Sequence, residues 1–460
     1  MATGEGIERP DGLVLGLEER PGVAQGLALG FQHVLVSNVW LDPVFVAAVA
    51  GLPVALAGNM VNAIFLAAGL VSLLQSTRLV RLPIVEGPSA AFDPLMISFG
   101  KAGRLAQATT GILIAGALIF LLAATGLLGR LRHLFTPAVT GTVTLLVGLA
   151  LAQFTLTEFL GGNPTGPTFA RGDTVAIAAT TLLTVLLLTA FGRGIARRYA
   201  FVWALLLGDA LAALLGRLDL RPVAVAPWLG IPRLLPYGGL AFDLGATTIF
   251  LLAFIVAVLE AVAVYHAAGE IVGTAITDER LNRGVAGAAA GSMVSALFGG
   301  FATTAYAQNV GLLRLTGNGS RHAVTYAGGI FLALAFVPKL GATLAATPDP
   351  VVGGIFLPAA GSLIVIGVGL LARMAQTERN LLVVGLAVLL GVGLPLMGAP
   401  LFDKLSPGWG LLLSQQIVVG TAVAILLELV LVHLPGRFGA RDRRGDEPTA
   451  READTGVREQ

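Results

Sequence analysis

Charge is scarce in this chain. Asp, Glu, Lys and Arg together make up 12% of its 460 residues, about half the share of an ordinary soluble domain, which argues for lipid as the solvent. Cysteine is absent altogether. Disulfides and thiolate metal sites are thereby excluded, and the redox compartment is left open. Also missing are a Walker phosphate loop, a G-x-S-x-G nucleophile elbow, a metal-ligand cluster and a dinucleotide-binding glycine fingerprint, so neither an enzyme nor an organic cofactor is expected. The opening stretch "MATGEGIERPDGLVLGLEERPG" is polar and acidic with no apolar run of its own, and no cleavable signal peptide is expected. The net charge is only +2 and the basic residues lie in short loops, which does not imply nucleic acid as a partner.

What the chain has in abundance is apolar sequence: 55% of residues are hydrophobic and the mean hydropathy is +0.84. Gly111–Leu128, Thr174–Phe191, Ala246–Val264 and Gln416–Leu434 each carry at most one charge. Each is enough helix to cross roughly 30 Å of hydrocarbon. Apolar runs and their breakers predict an all-α polytopic membrane protein of about fourteen segments. Two of them are anomalous: the third, "PIVEGPSAAFDPLMISFG", and the tenth, "FATTAYAQNVGLLRLTGNG", are broken or polar. Pro222, Pro227, Pro232 and Pro236 mark 217–244 as a non-helical connector. It separates a first repeat (21–216, segments 1–7) from a second (245–434, segments 8–14). Residues 1–20 are expected to be a cytoplasmic tail, and 435–460 a disordered, mixed-charge cytoplasmic tail. Arg78, Arg81, Arg130, Arg132, Arg280, Arg283 and Arg321 fall on one side of such a layout, which favours both termini in the cytoplasm. Broken segments in corresponding positions of two halves point to an inverted-repeat transporter with a midplane site. Irregular backbone at that depth is tolerable only where it is buried in protein or lines a cavity.

Several residues carry the chemistry. Glu260, in "AVLEAVAVYHAAGE", interrupts an apolar helix well inside its span. A carboxylate at the bilayer centre costs at least about 2.5–3.5 kcal/mol on insertion scales and is a functional candidate for that reason; a helix-pairing role is the plainer alternative. His266 and Glu270 lie further along, nearer the cytoplasmic end. Gln308 and Asn309 are primary amides, whose donors and acceptors match a planar heterocycle of alternating N–H and C=O groups; they also suit a helix start, where they would cap free N–H groups. Thr304 and Tyr306 precede them with the alternation of a short strand, and Thr303 and Thr304 also suit back-bonding to the main chain. In the third segment Ser89 follows Gly87-Pro88, and Asp93-Pro94 reads either as a helix cap or as a second intramembrane acid. Glu86 stands on the extended stretch before it, a candidate for the same cavity. Gln32 and His33 are polar residues of the first helix; the histidine is either a titrating group or a helix–helix hydrogen bond.

Together these pieces resemble the nucleobase–ascorbate transporter family, the xanthine/uracil permeases. Its tenth-segment signature, Q-N-x-G-x-x-x-x-T-G, stands here as Gln308-Asn309-Val310-Gly311 and Thr316-Gly317. "GFQHVLV" resembles its first-helix Gln-His motif, "RLPIVEGPSAAF" its third-segment strand, and "KLGATLAATPDPVVGG" the approach to its twelfth helix. The order and spacing agree from about residue 20 to 434. The resemblance implies a 7+7 inverted repeat with short strands in segments 3 and 10. A core domain (segments 1–4 and 8–11) would hold the substrate, and a gate domain (5–7 and 12–14) would move against it in elevator-like alternating access and form a homodimer. It also implies that Glu260 and Gln308 contact the base, with Ser89, Ala90, Thr304, Tyr306 and Asn309 around it. The chain departs from the pattern at Val264, where many members carry a polar residue, at Ala288, where an acid is common, and at Ala90, where an aromatic is common.

The expected function is therefore import of a nucleobase across a cell membrane, that of a bacterial inner membrane, by secondary symport. Gln308-Asn309 lean toward xanthine or another oxo-purine, while Tyr306 leaves uracil open. A buried carboxylate holds its proton more readily than a solvated one, so proton coupling is expected over sodium, with Glu260, Asp93, Glu86 and His33 as its candidate carriers. The alternatives are an uncoupled facilitator, because Ala288 removes an acid, and an anion transporter of the sulfate/bicarbonate type on the same fold. Glu260 speaks against the latter, since an anion would meet an unpaired carboxylate.

Overall fold

The computed structural model describes residues 13–128, 136–402 and 404–434. The expected C-terminal tail, residues 1–12 of the N-terminal one, and Arg130 and Arg132 lie outside them. The described chain is mostly helical. The helices are α1 (Val23–Ser37), α2 (Leu41–Val49), α3 (Val54–Thr77), α4 (Asp93–Lys101), α5 (Leu105–Ala124), α6 (Pro137–Phe159), α7 (Gly172–Phe191), α8 (Ala200–Leu214) and α9 (Leu244–Ile271). They continue with α10 (Asp278–Leu297), α11 (Ala307–Thr316), α12 (Arg321–Ala335), α13 (Pro338–Ala345), α14 (Asp349–Leu371), α15 (Glu378–Leu396) and α16 (Gln416–Leu427). Nine helices among the described residues are long and apolar enough to cross a membrane, the first counting α1 and α2 together. The pair α12–α13 makes a tenth if its 84° bend, at Pro338, lies within one span. This is a multi-pass membrane protein.

Helix ends follow local chemistry. Thr136, Asp243, Thr277, Ser320 and Thr377 each accept a backbone N–H in the first turn of the helix they start, satisfying a donor the helix itself leaves free. The connector 217–244 is not wholly non-helical: Arg221–Val225 form one helical turn, with Pro222 in the first turn, where its missing N–H costs nothing.

Two strands interrupt the helical pattern, β1 (Glu86–Pro88) before α4 and β2 (Thr303–Ala305) before α11. They pair antiparallel with Glu86 opposite Ala305, Gly87 opposite Thr304 and Pro88 opposite Thr303. Bonds from Ser89 N to Ala302 O and from Tyr306 N to Val85 O, both 2.9 Å, extend the pair at either end. Around it gather α1, α3, α5, α9, α10 and α12, with α12 packed on α1 and α3, and α5 on α9 and α10. A second group forms on α6 and α14, with α7 and α8 on one flank and α15 and α16 on the other. Short α2 touches both groups, and its Phe45 stacks on Phe356 of α14 at 3.7 Å between ring centroids.

Residues 13–20 were expected to be part of a tail; instead they form a strap. Leu15 bridges Asn318, and the N–H groups of Val14 and Leu15 both donate to the Gly317 carbonyl, at 2.7 and 3.2 Å. Gly317 ends α11 in the left-handed region (φ 64°), which only glycine enters without steric cost, so the signature's Thr-Gly close is a helix stop. Glu18 receives Arg81 at 3.0 Å and Arg321 at 2.6 Å, while Arg321 also reaches the Ser76 carbonyl. The hydrogen bond from Arg321 holds the Glu18 carboxyl below its ordinary value of 4.5. A group depressed on folding adds stability above its unfolded value and loses it as the pH falls. Glu18 is 42% exposed, so its ion pairs contribute no more than about 1 kcal/mol. Glu18→Gln should therefore lower the hydrogen-exchange protection of the Gly319 and Arg321 amides by about fivefold, and acidifying the wild type below 4.5 should lower it likewise, relative to the intrinsic exchange rate at that pH. Unchanged protection in both experiments would mean that Glu18 does not hold the strap.

Candidate functional site

Strand alternation sorts the candidates onto two faces of the β1–β2 pair. Gly87, Ser89, Thr304 and Tyr306 share the face toward α9 and α2; Glu86 and Thr303 share the other. On the first face Ser89 Oγ donates to Glu260 Oε2 at 3.0 Å, and Thr304 Oγ1 donates to the Ala257 carbonyl of α9 at 2.9 Å. Tyr306 donates its hydroxyl to Asp42 Oδ2 of α2 at 3.0 Å. Glu260 is half-buried, and Ala90 beside Ser89 is too.

Gln308 is exposed, whereas Asn309 is fully buried. Neither amide caps α11, whose cap position is Tyr306 with no side-chain bond. Asn309 Nδ2 instead donates to His33 Nδ1 at 2.9 Å and to the His33 carbonyl at 3.3 Å. The histidine thus plays the helix–helix role, tying α1 to α11, with Nδ1 as acceptor and the ring proton on Nε2. His266 and Glu270 are exposed on the last turns of α9, away from Glu260.

On the opposite face Glu86 is fully buried, and its Oε1 accepts from Gln75 Nε2 at 3.1 Å and from the Tyr265 hydroxyl at 3.2 Å. Its backbone N–H donates to Ser72 Oγ at 2.9 Å. Gln75 also reaches the Tyr265 hydroxyl and the Gly284 carbonyl, at 2.9 and 2.8 Å. Glu86 is therefore part of a knot behind the strands, on the face opposite the one that meets Glu260. Thr303 turns the same way, toward Ser292 of α10.

The two readings of Asp93 separate cleanly. The cap position of α4 is Phe92, and Asp93 makes no capping bond. It is fully buried and neither carboxylate oxygen has a hydrogen-bond partner, so it stands as an intramembrane acid. Phe92 pins this junction against α9, edge-on to Phe254 at 5.1 Å and beside Phe250 at 5.8 Å. Ala288 lines a small, mostly apolar void of about 10 Å³ together with Ala257, Ala261 and Thr303, room for about one water.

Sequence reading missed Asp42, Gln75 and Tyr265. Asp42 had a signal: Asp42-Pro43 repeats the Asp93-Pro94 pattern inside another apolar run.

The family model for the Permease family, the xanthine/uracil permeases, matches residues 24–399. The chain belongs to that family. Among curated relatives of this permease, it is 31% identical to the uric acid permease PucK of Bacillus subtilis, over 89% of this chain and 96% of that one. It is 28% identical to the xanthine permease of the same organism, over 89% and 94%, and 28% identical to the xanthine permease XanP of Escherichia coli, over 91% and 94%. Among solved structures, the transmembrane domain of a cyanobacterial bicarbonate transporter, BicA, matches at a TM-score of 0.61 and 17% identity, over 90% of this chain and all of that one. At that identity it is the fold that is shared. The protein is a transporter and not an enzyme.

Proposed function

We propose that this permease imports a nucleobase, with xanthine or a related oxo-purine favoured, by proton-coupled symport. The observation that carries the reading is the half-buried Glu260, held by Ser89 alone with its other oxygen left for a ligand, beside a paired-strand break whose next helix opens on the unbonded Gln308 amide. The carboxylate accepts ring N–H groups, and the amide pairs with an adjoining N–H/C=O edge. The starts of α4 and α11 add free backbone N–H donors and positive dipole ends for base carbonyl oxygens. Ser89, Thr304, Tyr306 and Ala90 frame the base, and Asn309 fixes α11 from behind. The relatives named for uric acid and xanthine support a purine.

Adding α8, α10, the bent α12–α13 pair and the two strand–helix segments to the nine long spans gives fourteen crossings. The packing supports an inverted repeat. The α3–α12 contact between the halves is mirrored by α10–α5, α1–α12 by α9–α5, and α7–α8 by α15–α16. The β1–β2 and α6–α14 pairs lie on the symmetry relation themselves. In this reading the group around the strands is the core, the group on α6 and α14 is the gate and homodimer surface, and the core carries substrate past the gate. Arg78, Arg280, Arg283 and Arg321 lie on the cytoplasmic side of the cell membrane, as do both termini.

Gln308→Glu tests the edge reading. An acceptor-only carboxylate suits a base edge with two N–H donors, so competition should shift toward uracil and away from xanthine by about 1–3 kcal/mol, roughly fivefold to 150-fold in relative affinity. Unchanged purine and pyrimidine competition would mean that Gln308 does not read the base.

A further inference from the structure

The break between α1 and α2, where Asn38 takes a left-handed conformation (φ 52°), brings the start of α2 up to the junction of β2 and α11. Asp42 sits in that first turn but caps nothing; its Oδ2 takes the Tyr306 hydroxyl at 3.0 Å. It interacts electrostatically with Glu260, and Asp93 with both of them. Three acids from α2, α4 and α9 thus share one neighbourhood, and the fully buried member, Asp93, has no hydrogen-bond partner on either oxygen. Among the described residues no three such side chains converge closely enough to hold a metal ion.

Among the described residues no basic group acts on these three acids. Lys101, at the end of α4, lies over the Phe154 ring and acts on Glu158. Lys339 of α13 donates to the Val223 carbonyl and faces Trp228. Glu158 of α6 and Asp349 of α14 interact with each other. From α3 the nearest polar groups are uncharged: Asn62 donates to the Ala335 carbonyl and Gln75 joins the Glu86 knot. Like charges in a low dielectric cannot all be carried at once, so such a group is a natural store of protons.

We propose that Asp42, Asp93 and Glu260 share the coupling proton as one unit, and that Tyr306 reports the protonation state of Asp42 to the substrate strand. This rests on the proton-symport reading above and adds Asp42 and the Tyr306 hydroxyl to the acids that reading already offers. When Asp42 is a carboxylate, it accepts the Tyr306 hydrogen. When a proton arrives, Asp42 carries an O–H of its own and donates it to the Tyr306 oxygen. The phenolic hydrogen then turns away, free to donate to a base carbonyl. The one covalent bond formed is the O–H that the incoming proton makes on Asp42; Tyr306 keeps its own proton, and the added one stays within the three acids until the carrier releases it. Asp42 and Asp93 would in this way supply the acid that is lacking at Ala288.

The test uses the full chain in proteoliposomes, with xanthine as the probe. Wild-type protein should accumulate xanthine under an inward proton gradient. Asp42→Asn and Asp93→Asn should each keep gradient-free counterflow exchange within about threefold while losing at least tenfold in accumulation. Tyr306→Phe, which removes only the hydroxyl, should flatten the pH dependence of xanthine affinity. Accumulation and pH profile unchanged in both Asn variants would overturn the triad while leaving proton symport standing. Wild-type accumulation indifferent to the proton gradient would overturn both. If an Asn variant is inactive even in counterflow, Tyr306→Phe decides: a wild-type pH dependence of affinity overturns the proposal, and a flattened one upholds it.

Discussion

Glu260→Ala and Gln308→Ala are each expected to reduce saturable xanthine uptake by at least a hundredfold while leaving the protein folded in the membrane. Glu260 makes one side-chain bond, to Ser89, and its removal relieves the cost of inserting a carboxylate, about 2.5–3.5 kcal/mol on insertion scales. Gln308 is exposed and holds no neighbour. Neither change therefore opens a core, and the first leaves only the Ser89 hydroxyl without its acceptor. Function is another matter: a site built to hydrogen-bond a polar ligand discriminates steeply because its own groups go unpaired when a partner is missing. Glu86→Ala supplies the contrast. It leaves the Tyr265 hydroxyl without its acceptor and takes one of three from Gln75, in a fully buried knot, and it should lower thermal stability as well as uptake. Uptake and affinity retained in both site variants would remove Glu260 and Gln308 from the site. Equal loss of stability in all three variants would mean that Glu260 is as structural as Glu86.

Gly87→Ala is expected to cost about 1–3 kcal/mol of stability, the usual range for overpacking, and at least tenfold in uptake. A Cβ at position 87 would come within 2.7 Å of the Tyr306 ring, with two further ring atoms at 2.8 and 3.0 Å. The ring cannot retreat freely, because its hydroxyl is held by Asp42 and the side chain is buried. The substitution therefore separates the strands or breaks the Tyr306–Asp42 bond. Tyr306→Ala in the same chain should recover most of the lost stability but none of the uptake, a non-additivity that a double-mutant cycle measures. Additive stability losses would mean that the two residues do not press on each other.

What was legible in the sequence was what a local pattern can carry. A carboxylate inside an apolar helix announced Glu260, and Gly87-Pro88 together with the polar run before Gln308 announced two broken segments that do pair as strands. Family membership was legible in the Gln308–Gly317 signature. What escaped depends on contacts across the chain. Glu86 and Ser89 are three residues apart, so strand alternation puts them on opposite faces. Composition shows both as polar residues at membrane depth, and only the register separates them. Asp42 and Tyr306 are 264 positions apart, and nothing near either residue names the other. The strap was read as a tail because its backbone bonds to Gly317 and Gly319 leave no mark in side-chain chemistry, and because the two partners of Glu18, which are Arg81 and Arg321, lie 63 and 303 positions away. Asp93 read equally as a cap or as an intramembrane acid, because Asp-Pro often starts a helix; here the cap position is Phe92, one residue earlier, and the carboxylate is buried without a partner.

The central claim, that this chain is a proton-coupled nucleobase importer, is tested most directly by radiolabelled xanthine uptake into proteoliposomes holding the purified protein. The account predicts accumulation above equilibrium under an inward proton gradient, collapse on adding a protonophore, and indifference to sodium. Accumulation that persists without the proton gradient when sodium is supplied, or equilibration without accumulation under any gradient, would contradict the coupling. Absence of saturable uptake of xanthine and every competing base would contradict the substrate class.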